Sequence, residues 1–361
     1  MKILFLTPYP LHKAPSQRFR FEQYLSFLQQ NGFHCFSEPF LNESTWNIFY
    51  KKGNYFKKAG GICKGFVNRI KLLFKIKEFD VIFIHREACF IGPAIFEWAY
   101  SLLATKKIIF DFDDAIWLRD VSDANVALGW LKAPSKTSDI IRKAGSIIAG
   151  NAYLASYAKK FNQNTFIIPT TIDTNYHKPK VKGGTKNYIT LGWTGSSTTI
   201  KHFEEIIPVL EKIQNKYDQK VKILLISNKS LKSETISLEF IPWNKETEID
   251  DLAKIDIGIM PLPDDKWSKG KCGFKGLQYM AMGIPTIMSP VGVNKEIIEN
   301  VINGYLASTE EEWIEKLSLL IENPELREKT GKAGRQTVIE RYSVESQKEN
   351  YLAVFNSITQ K

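Results

Sequence analysis

Short apolar runs alternate with longer amphipathic stretches along most of the chain. The runs are rich in β-branched and aromatic residues, which favour strands, whereas the stretches between them space their apolar residues as a helix does. Runs that are apolar throughout are typical of parallel strands covered by helices on both faces of the sheet. The predicted strands are Lys2–Leu6, Val81–Ile84, Ile108–Phe110, Ser146–Ile148, Phe166–Ile168, Ile189–Gly192, Lys222–Ile226, Leu238–Ile241, Ile257–Met260 and Thr286–Met288.

These strands are too many for one comfortable sheet, so we expect two domains. Helices are predicted between the strands, for example over Arg18–Asn31, Lys201–Lys216, Glu248–Lys254 and Lys275–Met282. The segment Asp173–Lys186, which contains Pro179, two glycines and several lysines, is typical of a linker. The pattern therefore predicts two doubly wound α/β domains joined near residue 180. Ligands of such sheets bind at the carboxyl ends of the strands, which would place a site in a cleft between the domains.

Length and composition agree with this interpretation and exclude several classes of protein. The 361 residues are 43% hydrophobic, which provides enough apolar mass for two cores and excludes a disordered or collagen-like chain. No apolar run reaches the roughly 18 residues needed to cross a bilayer, and Pro8 and Pro10 favour a first strand over a signal peptide at the N-terminus. The four cysteines are scattered, which indicates neither a zinc site nor a disulfide framework, and we expect a reducing, cytoplasmic location.

The positive charge is concentrated in the first half of the chain. Residues 1–177 hold 23 Lys and Arg against 14 Asp and Glu, whereas the remainder holds 26 against 25. Over residues 51–77 nine basic residues meet no acidic one, and a helix there would place Phe66, Ile70, Leu73 and Phe74 on one face. Such a basic amphipathic helix favours an anionic membrane surface or an anionic ligand. A solvated lysine-rich helix is an alternative, and nucleic acid is another, although no nucleic-acid motif accompanies the charge.

Two segments of the second half carry residues suited to a phosphate. A predicted strand leads through Gly195 and Ser196 to a helix that starts near Lys201, and the backbone N–H groups of such a turn approach phosphates closely. Farther on, Lys271 and Lys275 are four residues apart. A helix that begins at or just before Lys271 would hold both ammonium groups near its positive end, which destabilises the helix but favours a diphosphate. A simple helix cap and solvated lysines are the alternatives.

The residues around these lysines carry a resemblance to a known family. Residues 270–285, GKCGFKGLQYMAMGIP, resemble the nucleotide-sugar signature of the family-4 (group 1) retaining glycosyltransferases of the GT-B fold. That signature has a glutamate, a glycine-rich loop, a second glutamate eight residues on, and then Ala-Met-Ala-x-Gly-x-Pro. Other segments match the same family in order along most of the chain: Asn151–Tyr157, Pro169–Asp173, Ser289–Gly292, Glu296–Ile298, Asn303–Leu306 and Gly331–Arg335.

The resemblance implies a division of labour between two Rossmann-like domains. Residues 1–175 would bind the acceptor, residues 176–344 would bind the nucleotide sugar, and a C-terminal helix at about 345–361 would pack back on the first domain. No cofactor is implied, because the nucleotide-diphosphate sugar is the donor substrate.

The chain departs from the family signature at its centre. The second glutamate, which binds ribose hydroxyls in the family, falls on Gln278, whose amide can still donate to and accept from a diol. The first glutamate falls on Gly270, so a carboxylate assigned to the donor sugar is missing. Trp243 lies where the family binds the nucleotide base and would stack on it, unless it is a core tryptophan.

Charged residues of the first half supply acceptor and catalytic candidates. Arg18 and Arg20 are expected in the first turn of a helix capped by Ser16, where cations are unfavourable unless a phosphate compensates for them. Solvent-facing arginines are the alternative. A strand ends in His85 and Arg86, and Arg86 is a further candidate for acceptor or phosphate binding.

The next predicted strand ends in a run of carboxylates. Asp111, Asp113 and Asp114 follow the strand directly. Three carboxylates so close together repel one another, so such a cluster is expected where a cation compensates for the charge or where the carboxylates have a function. The family has a histidine near this strand end. We expect Asp113 to contact hydroxyl groups of donor or acceptor, with Asp111 and His85 behind it. A metal held by Asp111 and Asp113 is the competing interpretation; because the lysines already neutralise a diphosphate, we expect no metal.

The expected function is transfer of a sugar from a nucleotide-diphosphate sugar to an acceptor hydroxyl, with retention of configuration implied by the resemblance. The basic segment favours a glycan or lipid-linked acceptor, as in cell-surface polysaccharide or glycolipid biosynthesis, and a peripheral position at the inner face of the cell membrane. No nucleic-acid partner is expected. A sugar-nucleotide epimerase of GT-B architecture and a non-catalytic membrane-docking protein are the alternatives.

Overall fold

The computed structural model describes residues 1–104, 107–118, 133, 135–180 and 187–359. The chain separates into two units: unit 1 comprises Met1–Thr170 and Gln347–Lys361, and unit 2 comprises Thr171–Ser346. The sequence had suggested a division after residue 175. Of the expected linker, residues 181–186 lie outside the described residues.

Within the described residues each unit holds a six-stranded parallel sheet. The strands of unit 1 are β1 (Lys2–Thr7), β2 (His34–Pro39), β3 (Val81–His85), β4 (Ile108–Phe112), β5 (Ser146–Ala149) and β6 (Thr165–Ile167), in the order β2-β1-β3-β4-β5-β6. Those of unit 2 are β7 (Ile189–Gly195), β8 (Val221–Ser227), β9 (Leu238–Pro242), β10 (Ile257–Met260), β11 (Thr286–Met288) and β12 (Tyr305–Leu306), in the order β12-β11-β10-β7-β8-β9. The predicted α/β class with two parallel sheets is confirmed.

Helices connect the strands of each unit. In unit 1 they are α1 (Pro15–Arg18), α2 (Leu25–Gln30), α3 (Glu43–Phe49), α4 (Tyr55–Lys75), α5 (Ile95–Ala104), α6 (Lys136–Lys143) and α7 (Ala152–Ala158). In unit 2 they are α8 (Ile200–Glu204), α9 (Ile207–Tyr217), α10 (Glu248–Leu252), α11 (Lys266–Lys269), α12 (Phe274–Ala281), α13 (Asn294–Ile297), α14 (Glu310–Glu322) and α15 (Pro324–Thr337). The last helix, α16 (Val344–Thr359), belongs to unit 1 from Gln347 onward. None of the described helices combines the length and the apolar character needed to span a bilayer.

Both sheets are buried under apolar side chains. In unit 1, α16 covers β1 and β3. The ring centroid of Phe355 lies 6.4 Å from that of Phe5 and 6.0 Å from that of Phe83. The rings of Tyr351 and Tyr24 stack with their centroids 4.3 Å apart. In unit 2 the core gathers around the wholly buried Trp193. Strands covered in this way have side chains exposed to ligands only beyond their ends.

Two strands were not predicted, and the reason is their position. β2 and β12 lie at sheet edges, and every side chain of β2 is exposed or half-buried, so this strand has no continuous apolar run. An edge strand forms backbone hydrogen bonds with one neighbouring strand and is only partly covered by the rest of the sheet. Its sequence therefore need not be a continuous apolar run.

Two predicted helices are interrupted in the structure. Arg18–Asn31 consists of the end of α1, a 3₁₀ turn at Glu22–Tyr24 and α2, because the chain turns to bury Phe21 and Arg20. Lys201–Lys216 divides into α8 and α9, and Pro208 lies in the first turn of α9, where its fixed φ favours a helix start.

Helix α4 packs tightly on unit 1 through small residues. A Cβ on Gly65 would lie 2.6 Å from the carbonyl oxygen of Phe40, whereas a Cβ on Gly60 in the same helix would have nothing within 4 Å. The Arg69 guanidinium is also directed inward, donating from Nε to the Ala88 carbonyl at 2.7 Å and from Nη2 to the Thr7 carbonyl at 3.1 Å. One of the nine basic residues of segment 51–77 therefore holds the helix to its unit and does not add to the surface charge.

We predict opposite effects for two glycine substitutions in α4. Gly60→Ala should raise the free energy of unfolding by up to about 1 kcal/mol, because alanine stabilises an open helix position. Gly65→Ala should lower it by about 1–3 kcal/mol, because the methyl group meets backbone. Chemical denaturation of both variants measures the difference, and equal stabilisation by the two changes would contradict the packing of α4.

Candidate functional site

The three lysines predicted to bind a diphosphate converge on one histidine of unit 2. Lys201 belongs to α8, Lys271 precedes α12, and Lys275 lies in its first turn. Burial of His202, together with the positive charges of these three lysines, lowers the pKa of its imidazole to about 4. The imidazole is therefore neutral near pH 7, and its buried Nδ1 has no hydrogen-bond partner among the residues that the structure describes. The sequence expectation of a cationic site over these residues agrees with this arrangement.

Two of the ammonium groups are held against tryptophan rings. Lys275 Nζ lies 5.3 Å from the ring centroid of Trp193, and Lys271 Nζ lies 4.8 Å from that of Trp267. Cation–π contacts of this kind attract an ammonium group to the face of an aromatic ring and help to fix its position. The lysines are thus positioned before any anion arrives.

The helix that carries Lys275 begins later than expected. Gly273 is the N-cap residue of α12 with a φ of +68°, and a Cβ at this position would lie 2.2 Å from Ile297 Cδ1. Lys271 therefore lies in the loop before the helix, not in its first turn, so the expectation for Lys271 is corrected. Only Lys275 adds its charge to the positive end of the α12 dipole.

The loop after β7 is built differently from the expected phosphate turn. β7 continues to Gly195, where a Cβ would lie 2.1 Å from the Trp193 ring, so the glycine is required by close packing. The Ser196 N–H donates to Thr199 Oγ1 at 3.1 Å, and the Ser197 N–H donates to Asn228 Oδ1 at 2.7 Å. These two amides bind side chains of the unit, so a phosphate would have to replace those side chains as their partner.

A buried polar cluster surrounds Gln278. Its Nε2 lies 3.3 Å from Glu248 Oε1 and 3.3 Å from His177 Nε2, and the Trp243 indole N–H donates to the same Glu248 oxygen at 3.3 Å. The predicted donor residues Gln278 and Trp243 are therefore brought together, by a carboxylate that sequence reasoning missed. Glu248 and His177 belong to none of the motifs considered, and the only signal for Glu248 was its place at the start of a predicted helix.

In unit 1 His85, the last residue of β3, pairs with Asp111 near the end of the neighbouring β4. The two residues are register partners, and His85 Nδ1 lies 2.7 Å from Asp111 Oδ2. The Arg20 guanidinium lies 2.5 Å from Asp111 Oδ1 and donates to the Ile168 carbonyl at 2.5 Å. Burial opposes ionisation of Asp111, but Arg20 and His85 outweigh it and hold the pKa of that carboxyl below its usual range.

This pairing corrects the expectation for the two arginines of the N-terminal loop. Arg20 is buried against Asp111, so a phosphate from solvent cannot reach it in this structure. Helix α1 begins at Pro15 with Ala14 as its N-cap residue, so Ser16 is not the cap and Arg18 lies in the last turn. The unfavourable dipole that suggested a compensating phosphate therefore does not arise, and the Arg18 guanidinium rests 5.0 Å from the Phe19 ring centroid.

Arg86 joins the remaining carboxylates. Its Nε donates to Asp113 Oδ1 at 2.8 Å and its Nη2 to Asp114 Oδ2 at 2.6 Å, while its backbone adopts a φ of +60°. Burial disfavours the charged guanidinium, but Asp113 and Asp114 outweigh it and raise the pKa of Arg86. The Arg86 charge is neutralised inside the unit, which weakens the expectation that it binds a phosphate.

The candidate catalytic residues of unit 1 differ in exposure. Asp111 and His85 are buried, Asp113 is half-buried, and His85 Nε2 has no hydrogen-bond partner among the described residues. The part of the chain that the structure describes contains no group of three or more His, Cys, Asp or Glu side chains able to hold a metal. Asp113 is thus better placed than Asp111 to contact a substrate, and metal independence stays a prediction.

Comparison with known proteins identifies the family of unit 2. Residues 180–337 match the family described as Glycosyl transferases group 1. Unit 2 is a group 1 glycosyltransferase domain. The predicted group 1 family is confirmed over this unit, and the chain is a glycosyltransferase. The assignment to family 4 and the retention of configuration stay predictions. No curated protein matches it in sequence.

Solved structures resemble the glycosyltransferase over its whole length. A glycosyltransferase from Rickettsia africae has a TM-score of 0.72 at 13% identity, covering 100% of this chain and 99% of that one. The Anabaena protein HepE in complex with UDP and glucose has a TM-score of 0.68 at 13% identity, covering 99% and 100%. Sucrose-phosphate synthase from Thermosynechococcus elongatus has a TM-score of 0.68 at 13% identity, covering 99% of both chains. These similarities confirm the predicted GT-B fold class.

We predict that an anion bound among the three lysines raises the pKa of His202. A diphosphate would cancel much of the positive potential that helps to hold this pKa near 4, so the pKa should move toward the ordinary value of about 6.5. NMR titration of the histidine ring protons with and without UDP measures the shift. The exposed His34 of unit 1 serves as control and should not move; an unchanged His202 at saturating UDP would contradict the site.

Proposed function

We propose that this glycosyltransferase binds the diphosphate of a nucleotide-sugar donor through Lys201, Lys271 and Lys275, with Gly195 and Ser196 beside them. The observation that carries the proposal is the convergence of the three lysine charges on the neutral His202. A diphosphate with two or more negative charges is the ligand that such a cluster favours most. The UDP and UDP-glucose found in crystal structures of the similar Anabaena protein support a nucleotide sugar as donor.

The cluster around Gln278 is the proposed site of the nucleoside. Gln278 stands where the family has its second glutamate, and Glu248 brings a carboxylate to within 3.3 Å of the Gln278 amide nitrogen. We infer that the two side chains together receive the ribose hydroxyls, so that Glu248 supplies the charge-assisted hydrogen bond that Gln278 by itself would lack. The Trp243 ring, oriented by its hydrogen bond to Glu248, would then stack on the base.

Transfer itself requires little covalent chemistry from the protein. The bond between the anomeric carbon and the diphosphate oxygen breaks, the acceptor oxygen bonds to that carbon, and the acceptor proton passes to the departing phosphate. The lysines stabilise the negative charge that develops on the leaving group. Asp113 is proposed to hold a donor or acceptor hydroxyl, with Asp111 and His85 as positioning residues behind it, and the reaction is proposed to retain configuration and to need no metal.

The acceptor is proposed to be a glycan or a lipid-linked sugar of cell-surface polysaccharide or glycolipid biosynthesis, used in the cytoplasm at the inner face of the membrane. The basic character of unit 1 supports this, because such acceptors carry phosphate or other anionic groups. Arg20 and Arg86 are less suited to bind an anionic acceptor because carboxylates neutralise their charges, so Arg18, which is half-buried, stays the proposed acceptor-binding arginine.

We predict that Lys275→Ala removes most transfer while the fold is kept. Loss of a cation facing the developing diphosphate charge should reduce kcat on the order of 100-fold, about 3 kcal/mol. Lys266→Ala is the matched control, because Lys266 is exposed in the neighbouring α11 and should leave the rate unchanged. Steady-state kinetics with UDP-glucose, after thermal unfolding has verified both folds, makes the comparison. Full activity of the folded Lys275→Ala variant would contradict the assignment of Lys275 to the diphosphate.

A second experiment addresses stereochemistry and metal use. With UDP-glucose as the first donor tested, ¹H NMR of the product should show an α-anomeric proton, as in the donor, and EDTA should not reduce the rate. A β-linked product would contradict retention, and loss of activity that Mg²⁺ or Mn²⁺ restores would contradict metal independence. Conversion of the donor into another nucleotide sugar without an acceptor would favour the epimerase alternative.

A further inference from the structure

Helix α4 exposes apolar side chains along one side of its whole length. Phe56, Val67, Ile70 and Phe74 fall within a narrow sector at about 100° per residue, and Phe56 and Phe74 are 96% and 85% exposed. Phe66 does not belong to this sector, because its ring packs edge-on against Phe40 at 5.4 Å. The solvent-exposed apolar side of α4 therefore differs from the predicted one. Phe66 helps to hold α4 to its unit, whereas the residues of the exposed sector face solvent.

The lysines of α4 follow the same exposed side. Lys57, Lys64, Lys71 and Lys75 are exposed and lie next to the apolar sector on one flank, and α4 contains neither Asp nor Glu. A helix that presents an apolar sector with a row of lysines beside it is the pattern of helices that lie in the plane of a bilayer surface.

Helix α5 continues this surface. Ile95, Trp98 and Leu102 share one helical side and are 60%, 51% and 59% exposed. The acidic residue of α5, Glu97, is buried and accepts from the Ala88 N–H at 2.9 Å, so it adds no negative charge outside.

The two helices are fixed side by side by their inner faces. The rings of Phe66 and Phe96 lie 5.9 Å apart, and the Tyr100 hydroxyl donates to the Arg69 carbonyl at 2.8 Å. The strand order explains why they are neighbours: the connections β2 to β3 and β3 to β4 advance in the same direction, so right-handed crossovers place α4 and α5 on one face of the sheet. The exposed apolar residues of the two helices therefore form one surface on a rigid support.

We propose that this surface docks unit 1 on an anionic lipid bilayer. It is the α4–α5 surface, defined by Phe56, Val67, Ile70, Phe74, Ile95, Trp98, Leu102 and the lysines Lys57, Lys64, Lys71 and Lys75. Contiguous exposed apolar residues mark contact sites, and the lysine row complements the negative charge of lipid headgroups. A nucleic acid would use the lysines but would leave the phenylalanines in water.

The docking goes beyond the proposed sugar transfer, because none of its residues belongs to the donor or catalytic set. It gives the glycosyltransferase a partner of stated chemistry, a bilayer that contains acidic phospholipid. Lysines supply attraction that salt screens, and the aromatic and aliphatic residues supply burial that salt does not screen. The two contributions can be separated experimentally.

Co-sedimentation of the full chain with vesicles of phosphatidylcholine and 0–40% phosphatidylglycerol tests the proposal. The wild type should bind increasingly with the anionic fraction. Lys64→Gln, Lys71→Gln and Lys75→Gln combined should weaken binding on the order of 100-fold, given the contribution of each lysine near a charged surface. The matched control combines Lys143→Gln, Lys159→Gln and Lys160→Gln, which removes the same charge from exposed positions of α6 and the end of α7, and should bind like the wild type.

Two further variants test the apolar part. Phe56→Ser with Phe74→Ser should abolish the binding that survives high salt. Quenching of tryptophan fluorescence by brominated phosphatidylcholine in the vesicles should occur in the wild type and be largely lost in Trp98→Phe. All variants should transfer sugar to a short soluble acceptor at the wild-type rate, which separates failure of docking from failure of the proposed reaction. No sedimentation of the wild type at low salt, or equal weakening by the control lysines, would overturn the proposal.

Discussion

A parallel sheet covered on both faces leaves room for charged side chains only where its strands end, and in both units this constraint decides where chemistry can occur. In unit 1, His85 and Asp111 end neighbouring strands and are wholly buried. A carboxylate in such a place is tolerated only when cations and hydrogen bonds compensate for the lost water. Arg20 and His85 provide that compensation, and they are thereby fixed in position.

The two units treat their cations in opposite ways. In unit 1 the arginines near the strand ends are neutralised internally, Arg20 by Asp111 and Arg86 by Asp113 and Asp114. In unit 2 the lysine charges act on a neutral imidazole and on aromatic rings. Several cations that act on one point stabilise an anion that forms there during a reaction. The convergence of the lysine charges on His202 is therefore what supports the proposed placement of the donor diphosphate in unit 2.

The charge of unit 1 lies mainly outside its core. Basic residues of α4 serve two purposes: Arg69 is turned inward to backbone carbonyls, whereas Lys64 and Lys71 of the same helix are exposed to water. The exposed phenylalanines beside those lysines are what distinguishes α4 from an ordinary solvated helix. The same helix thus anchors itself to the sheet through one side and offers a surface through the other.

The α/β class, most of the strands, the group 1 glycosyltransferase family and the lysines proposed for the donor diphosphate could be predicted from the sequence, because each depends on residues near one another in the chain. Apolar runs mark buried strands, and a motif keeps its spacing. Tertiary structure decided the partners. Glu248 and Gln278 are thirty positions apart, and Arg20 and Asp111 ninety-one, so no local pattern shows that each pair meets. The same holds for Phe56 and Phe66, whose exposure depends on where Phe40 packs. The periodicity of apolar residues indicates that a helix has two different sides. Only the packing of neighbouring elements determines which of those sides is buried.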